Sequence, residues 1–346
     1  MSTLARTLGQ IGALDKGAMK EASSRQDRLT KPPGSLGRLE EIAIRVAGIT
    51  GRARPEIRTK TLFTLAADHG VAAEDVSAYP QAVTREMVRN FLGGGAAINV
   101  LTRHAGVKLV VADFGVAADL PPDARLLSLK ISSGTKNLLR EPAMTREEAI
   151  RALEQGIDLV GDGDLVGTGD MGIANTTSAS AITAVITGRP PAEVTGRGTG
   201  IDEVRLQRKI RVIEEAVALH RPKPADGLDV LSKVGGFEIG GLAGVILGAA
   251  ARRIPVVLDG FISGAAALIA ATLAPQVKEY LFAAHRSQER GHAASLSWLG
   301  LTPILDLHLR LGEGTGAVLA IPIVEAACKI LCEMATFEEA GVSEKS

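Results

Sequence analysis

An α/β fold, a parallel sheet with helices on both faces, is predicted by three features of the sequence. From residue 59 onward, short and mostly apolar runs recur: TLFTLAAD (61–68), KLVVADFGV (108–116), DLVGTGD (164–170), IPVVLD (254–259), YLFAA (280–284) and ILDLH (304–308). Helical segments separate them, among them EMVRNFLGGGAAINVLTRH, TREEAIRALEQGIDLV and AAALIAATLA. Several runs end in Asp or Gly. Continuous apolar strands alternating with helices belong to sheets buried on both faces, and such sheets bind ligands at the carboxyl ends of their strands.

The chain begins differently. Residues 1 to about 50 read as helices joined by the turn Lys31-Pro32-Pro33-Gly34-Ser35, where two prolines and a glycine forbid regular structure. The helix after the turn puts Leu36, Leu39, Ile42, Ala43 and Val46 on one face. Thr145 with Glu148 fits a capping box at a later helix start. The segment after residue 334 is short and charged and is expected to fray. Both chain ends lack strands, so 1–58 and about 318–346 are expected to pack as a small helical subdomain beside a large α/β domain of 59–317.

Composition removes several classes of function. Lys plus Arg number 39 and Asp plus Glu number 39, so the formal net charge is zero, without the basic excess of a nucleic-acid binder. Aromatic residues make up 3%, too few for single-strand stacking platforms. The two cysteines, Cys328 and Cys332, lie four apart in a helical stretch and read as two buried thiols on one face. The six histidines form no HxxxH or HxH pair, so no structural metal is expected. The opening residues lack an apolar core flanked by a cleavage site, so no signal peptide is expected. The stretch GGLAGVILGAAARRIPVVLDG is broken by Arg252, Arg253 and Pro255, which argues against a membrane span and for a cytoplasmic protein.

Five segments carry chemistry. In GTGDMGIANTTSAS (167–180), Gly167, Gly169 and Gly172 match GxGxxG, but a turn-rich loop follows where a dinucleotide fold needs a second strand ending in an acid. A phosphate cradle fits better: Asn175, Thr176, Thr177 and Ser178 supply hydroxyls and amides at a helix N-terminus, where unpaired N–H groups attract anions. Plain N-capping is the alternative. GRGTGID (196–202), with Gly200, permits close approach of backbone to a ligand and leads into a helix containing Lys209; a mobile loop is the alternative. KVGGFEIGGLAG (233–244) suggests either tight backbone contact or a ligand wall. In LDLHLRLGEGTGA (305–317), Glu313 is a lone carboxylate between glycines. Desolvation there would raise its pKa and suit it to accept a proton from a weakly acidic N–H; an ordinary surface glutamate is the alternative. Finally, Asp68 and His69 close a strand, and Tyr79-Pro80-Gln81 offers an aromatic face beside an amide, a lining for a flat heterocycle. His69, His285 and His292 read more simply as structural hydrogen-bonders.

Taken together, KPPGSLGRLE, ADHGV…VSAYPQAVT, NFLGGGAAINVL, GDMGIANTTSASA, KVGGFEIGGLAG, LDGFISGAAA and LRLGEGTGA resemble the nicotinate-nucleotide:dimethylbenzimidazole phosphoribosyltransferases of the cobalamin lower-ligand pathway, over residues 31 to about 327. The resemblance implies a Rossmann-like, three-layer parallel sheet, a helical subdomain from both chain ends, and a homodimer. It implies transfer of ribose 5-phosphate from nicotinate mononucleotide to 5,6-dimethylbenzimidazole, with no cofactor and no metal. Glu313 would be the general base. Asp170, Met171, Gly172, Asn175, Thr176, Thr177, Gly200 and Lys209 would hold phosphate and ribose, Asp170 standing where relatives often have Glu. Ser77, Tyr79 and Gln81 would line the base pocket. Glu74-Asp75 departs from the pattern, relatives often having a small residue before VSAYP.

Three other readings compete. A nicotinamide dehydrogenase rests on GTGDMG alone. A phosphoribosyl-pyrophosphate enzyme would need a second acid where Gly260 follows Asp259, and magnesium held nearby. A non-catalytic nucleotide-binding module would need the phosphate loop but no Glu313 in a pocket.

Overall fold

A computed structural model describes residues 2–343. Six strands form one parallel sheet: β1 (Lys60–Ala67), β2 (Lys108–Gly115), β3 (Leu126–Ser128), β4 (Leu165–Met171), β5 (Val256–Leu258) and β6 (Leu281–Ala283), in the order β3-β2-β1-β4-β5-β6. The order reverses between β1 and β4. There the connections leave in opposite directions and open a crevice at the strands' carboxyl ends, the usual ligand position in such sheets. Register sets Leu65 beside Asp170 and Ala66 beside Met171 at that crevice.

Alternation along β1 divides the core into two layers. Leu62 points toward Ala317 and Ile321 of the helix Thr315–Glu333, while Leu65 points toward Gly241 of the helix Phe237–Ala251. Arg146–Leu159 backs the second helix, and Arg38–Thr50 backs the first. One buried apolar cluster runs through both layers, from Val46 through Leu62 and Val166 to Leu247. The glycine pairs of 233–244 serve close helix contact. A Cβ at Gly244 would lie 2.1 Å from the Leu153 carbonyl oxygen, and one at Gly156 only 2.0 Å from that of Gly241.

Some expectations need correction. Residues 304–308 form no strand; Leu305 makes only an isolated bridge to His285, because the run lies at the sheet's edge with Leu307 exposed. The helical stretch 86–104 is two helices, Ala82–Gly93 and Ala97–Ala105, parted where Gly94 takes φ 79°. β3 is a three-residue edge strand; β5 and β6 are as short but fully buried in apolar runs, whereas β3 is half-buried to exposed and carries no such run. The segment after 334 does not fray as expected. Thr336 and Glu339 form a capping box on Phe337–Ala340, and Thr30 N–H donates to the Ala335 carbonyl at 3.1 Å. Residues 344–346 of that tail lie outside the described residues. Cys328 is buried, but Cys332 is only half-buried. Among the described residues, the helix long and apolar enough to cross a membrane is Thr315–Glu333, not the 240–260 stretch; 56% of its apolar window is buried, as in the core helix of a globular protein.

Candidate active site

Four of the sheet's strands end in or just before an acid or histidine: Asp68-His69 after β1, Asp170 in β4, Asp259 after β5 and His285 after β6. The turn Gly312-Glu313-Gly314 crosses the end of β4. All three residues have positive φ, 83°, 64° and 99°. For the two glycines this costs little; for Glu313 it is strained by about 1–3 kcal/mol and must be held by its surroundings. Its N–H donates to the Asp170 carbonyl at 3.2 Å, and its carbonyl accepts from Thr64 Oγ1 at 2.8 Å. Close contact at Gly169 allows this, since a Cβ there would lie 2.3 Å from the Glu313 carbonyl oxygen. The Glu313 side chain is 5% exposed, and Oε2 accepts from the N–H of Ile98, in the first turn of Ala97–Ala105, at 3.3 Å. Burial raises the carboxyl pKa above its ordinary value, against the pull of that N–H.

Asp170 lies alongside. Its Oδ2 accepts from Asn175 Nδ2 at 2.9 Å. Burial first, then the nearby Asp259, push its pKa up to about 8, with Glu238 and Glu313 acting in the same sense. This end of the crevice favours a proton.

The other end favours an anion. The helix Asn175–Thr187 starts after Ala174, at φ 72° and with no side chain to cap it. Thr176 Oγ1 accepts from Lys209 Nζ at 2.6 Å. Lys209 is fully buried; burial lowers its pKa from 10.5 to about 8, opposed by Glu289. Gly198 completes the corner, where a Cβ would lie 2.8 Å from Thr176 Oγ1 and 3.3 Å from Lys209 Nζ. Gly200, at φ 100°, has open space beside it. Met171 and Gly172 are half-buried, and Gly172 lies against the Ala67 carbonyl. Thr177 is buried, its Oγ1 without a partner among the described residues.

The second glycine-rich helix start at this edge, Thr315–Glu333, is already occupied. Asp259 Oδ1 accepts from Gly316 N–H at 2.7 Å and Ala317 N–H at 3.1 Å, and Oδ2 from Gly314 N–H at 3.2 Å. At the helix start at 175, the Asn175 and Thr177 N–H groups donate to the Gly172 and Ala174 carbonyls at 3.1 and 2.9 Å, which leaves the Thr176 N–H and the Lys209 ammonium to meet an anion.

The residues expected to line the base pocket separate. Ser77 meets the 196–202 loop, its Oγ 3.2 Å from Thr199 Oγ1, and that oxygen accepts from Ala78 N–H at 2.9 Å. Tyr79 is 56% exposed, and Gln81 stands at the start of Ala82–Gly93; no hydrogen bond brings either to the centre. The Glu74-Asp75 departure ties this loop to the helix that carries Lys209. Glu74 accepts from Asn137 Nδ2 at 2.7 Å and lies 3.6 Å from Arg208, and Asp75 pairs with Arg205 at 3.1 Å.

Two sets of partners were not legible in the sequence, although His69 itself was expected to be a structural hydrogen-bonder. His69 is fully buried and bridges Ser178 Oγ (3.1 Å from Nδ1) and Glu238 (2.7 Å from Nε2), joining β1 to two helices. Asp259 clamps the Glu313 turn; the one hint of it was that the runs of β1, β4 and β5 all end in Asp.

A doubly wound parallel sheet, an anion corner and a buried carboxylate at the switch point define a nucleotide-handling α/β enzyme. The chain belongs to the phosphoribosyltransferase family DBI_PRT, whose model matches residues 11–342. It is 63% identical over 350 aligned positions to the nicotinate-nucleotide–dimethylbenzimidazole phosphoribosyltransferase of Chloroflexus aggregans, covering 100% of this chain and 99% of that protein. The protein of the same name from a Roseiflexus species is 61% identical, with 100% and 99% covered. The crystal structure of CobT from Thermus thermophilus superposes with a TM-score of 0.92 at 49% identity, covering 95% of this chain and all of that one.

Proposed function

We propose that the protein transfers ribose 5-phosphate from nicotinate mononucleotide to 5,6-dimethylbenzimidazole, giving α-ribazole 5′-phosphate and nicotinate. The observation that carries this reading is the continuous link from Glu313 through Asp170 and Asn175 to Thr176 and Lys209. It sets a buried base and an anion corner on either side of one strand end.

The donor's pyridinium is already cationic and leaves with the electron pair of the bond to C1′. Asn175, Thr176 with its N–H, and Lys209 hold the phosphate, with Asp170 to Gly172, Thr177 and Gly200 walling the ribose. Phosphate binding thereby becomes orientation at C1′. One benzimidazole nitrogen attacks C1′ through its lone pair, and the other surrenders its proton to Glu313. Attack opposite the leaving group inverts the anomeric centre, so a β-nucleotide gives an α-nucleotide. Ser77, Tyr79 and Gln81 form the base side of the mouth. A homodimer, a cytoplasmic location and a helical subdomain of 1–58 with about 318–346 complete the proposal. The second is supported by Arg252, Arg253 and Pro255, which break the apolar stretch at 240–260, the first and third by likeness to the family.

Purified protein incubated with nicotinate mononucleotide and 5,6-dimethylbenzimidazole, with and without chelator, tests the reading by chromatography. Free nicotinate appearing in step with an α-ribazole phosphate is expected. Donor binding without product from any benzimidazole would favour a binding module instead.

A further inference from the structure

We propose that Asp259 is a positioning residue for the reaction, holding the turn that carries Glu313 in its strained conformation. This rests on the general-base role given to Glu313 above.

The helix Thr315–Glu333 begins after a glycine, Gly314, which has no side chain to cap it. Its first N–H groups would be left unpaired in a buried place. Asp259, far earlier in sequence and on a different strand end, takes the cap's place. Its two carboxylate oxygens collect three N–H groups, from Gly314, Gly316 and Ala317. These bracket Thr315 and begin one residue after Glu313. The clamp is rigid at its root, because the Asp259 N–H faces Thr168 Oγ1 at 3.4 Å, and that hydroxyl donates to Ser263 at 2.9 Å. Asp259 is 1% exposed, with His285 Nε2 3.8 Å from Oδ1.

An acid in this position has an electrostatic cost. Burial and the nearby Glu313 drive its pKa up, against the three N–H groups that favour the carboxylate. A neutral cap would serve the helix without adding Asp259 to the acids, Asp170 among them, already beside Glu313. The geometry accounts for the acid: only a carboxylate offers two acceptor oxygens, and both are used on the turn. Glu313 φ is +64°; Thr64 and the Asp170 carbonyl hold the Glu313 peptide, and Thr315 closes the turn on itself through its N–H and Oγ1, which donate to the Gly312 carbonyl at 3.1 and 2.9 Å. Asp259 holds the side that follows.

Asp259→Asn keeps the shape but turns one acceptor into a donor facing N–H. The expected result is a kcat lower by roughly 10–100-fold, the scale of a small misplacement at a reacting centre. The KM for nicotinate mononucleotide should stay within about twofold, because the phosphate corner is built elsewhere. In a Glu313→Gln background the same substitution should have almost no further effect on kcat, since a misplaced base cannot be lost twice. A merely structural role would lower melting temperature and raise both KM values, and would act equally in both backgrounds; that pattern overturns the proposal. Should Asp259→Asn not fold, Asp259→Glu keeps the charge and displaces the oxygens by one methylene. Wild-type kcat in that variant also overturns it. If the wild-type protein itself makes no product, the reaction reading fails first and carries this proposal with it.

Discussion

The N–H of Glu313 donates to the carbonyl of Asp170 at 3.2 Å, across the end of β4. One residue belongs to the turn before the last long helix and the other to the strand that opens the phosphate corner. Their peptide contact fixes the distance between a proton acceptor and an anion site without using either side chain.

Glu313→Gln tests the acceptor. It keeps volume and the Ile98 contact but cannot take a proton. We expect kcat to fall by about 10²–10⁴-fold, with melting temperature unchanged or higher because a buried carboxylate is neutralised. Steady-state kinetics beside a thermal melt decide it; near-normal turnover would falsify the assignment.

Lys209 tests the anion corner, and its pH dependence has a definite sign. In the folded chain its pKa is lowered from 10.5 to about 8, so the unfolded chain binds this proton more tightly. Its burial therefore destabilises the fold below about pH 8, an effect that fades as pH rises to 10.5. A phosphate beside it favours the ammonium, so kcat/KM for nicotinate mononucleotide should decline above about pH 8. Lys209→Met should raise the donor's KM by about 10–100-fold, the value of a hydrogen bond to a charged group, abolish that decline, and leave the empty protein no less stable. An unchanged KM would place the phosphate elsewhere.

Gly169→Ala tests the close approach under Glu313. The new Cβ would meet the carbonyl oxygen of Glu313 at 2.3 Å and its carbonyl carbon at 2.6 Å, both backbone atoms that cannot swing aside. Turnover should drop by on the order of 10²-fold, with stability reduced by about 1–3 kcal/mol. Gly163→Ala, whose Cβ would find only Thr59 Oγ1 at 3.9 Å, is the control and should behave as wild type in both assays.

His69 is a stability prediction. It is the hydrogen-bond partner of Glu238 at 2.7 Å, and both side chains are fully buried. His69→Ala strands the Glu238 carboxyl and should cost about 3–5 kcal/mol in urea unfolding. The double replacement His69→Ala with Glu238→Gln should recover part of that loss. A single-variant loss under about 1 kcal/mol would mean that the pair does not join β1 to the helix Phe237–Ala251.

Much of this molecule could be read along the chain. Apolar runs interrupted by helices determined a parallel sheet, because strands covered on both faces have no polar side to alternate with. Glycines around Glu313 and the polar run at 175–178 marked a turn and a helix start, since left-handed backbone and unpaired N–H groups have local signatures. The edges were less legible. β3 is largely exposed, so no apolar run marks it as one marks the equally short β5 and β6, and the ILDLH run had strand composition but no neighbour to pair with over its length. Nothing local could reveal that Asp259 caps a helix 55 residues away, that His69 joins Ser178 to Glu238, or that Tyr79 stands exposed while Ser77 meets Thr199. Those relations depend on which strand ends lie side by side. That is decided when the sheet closes around its core, by the burial of all its strands together, and no short stretch of sequence contains it.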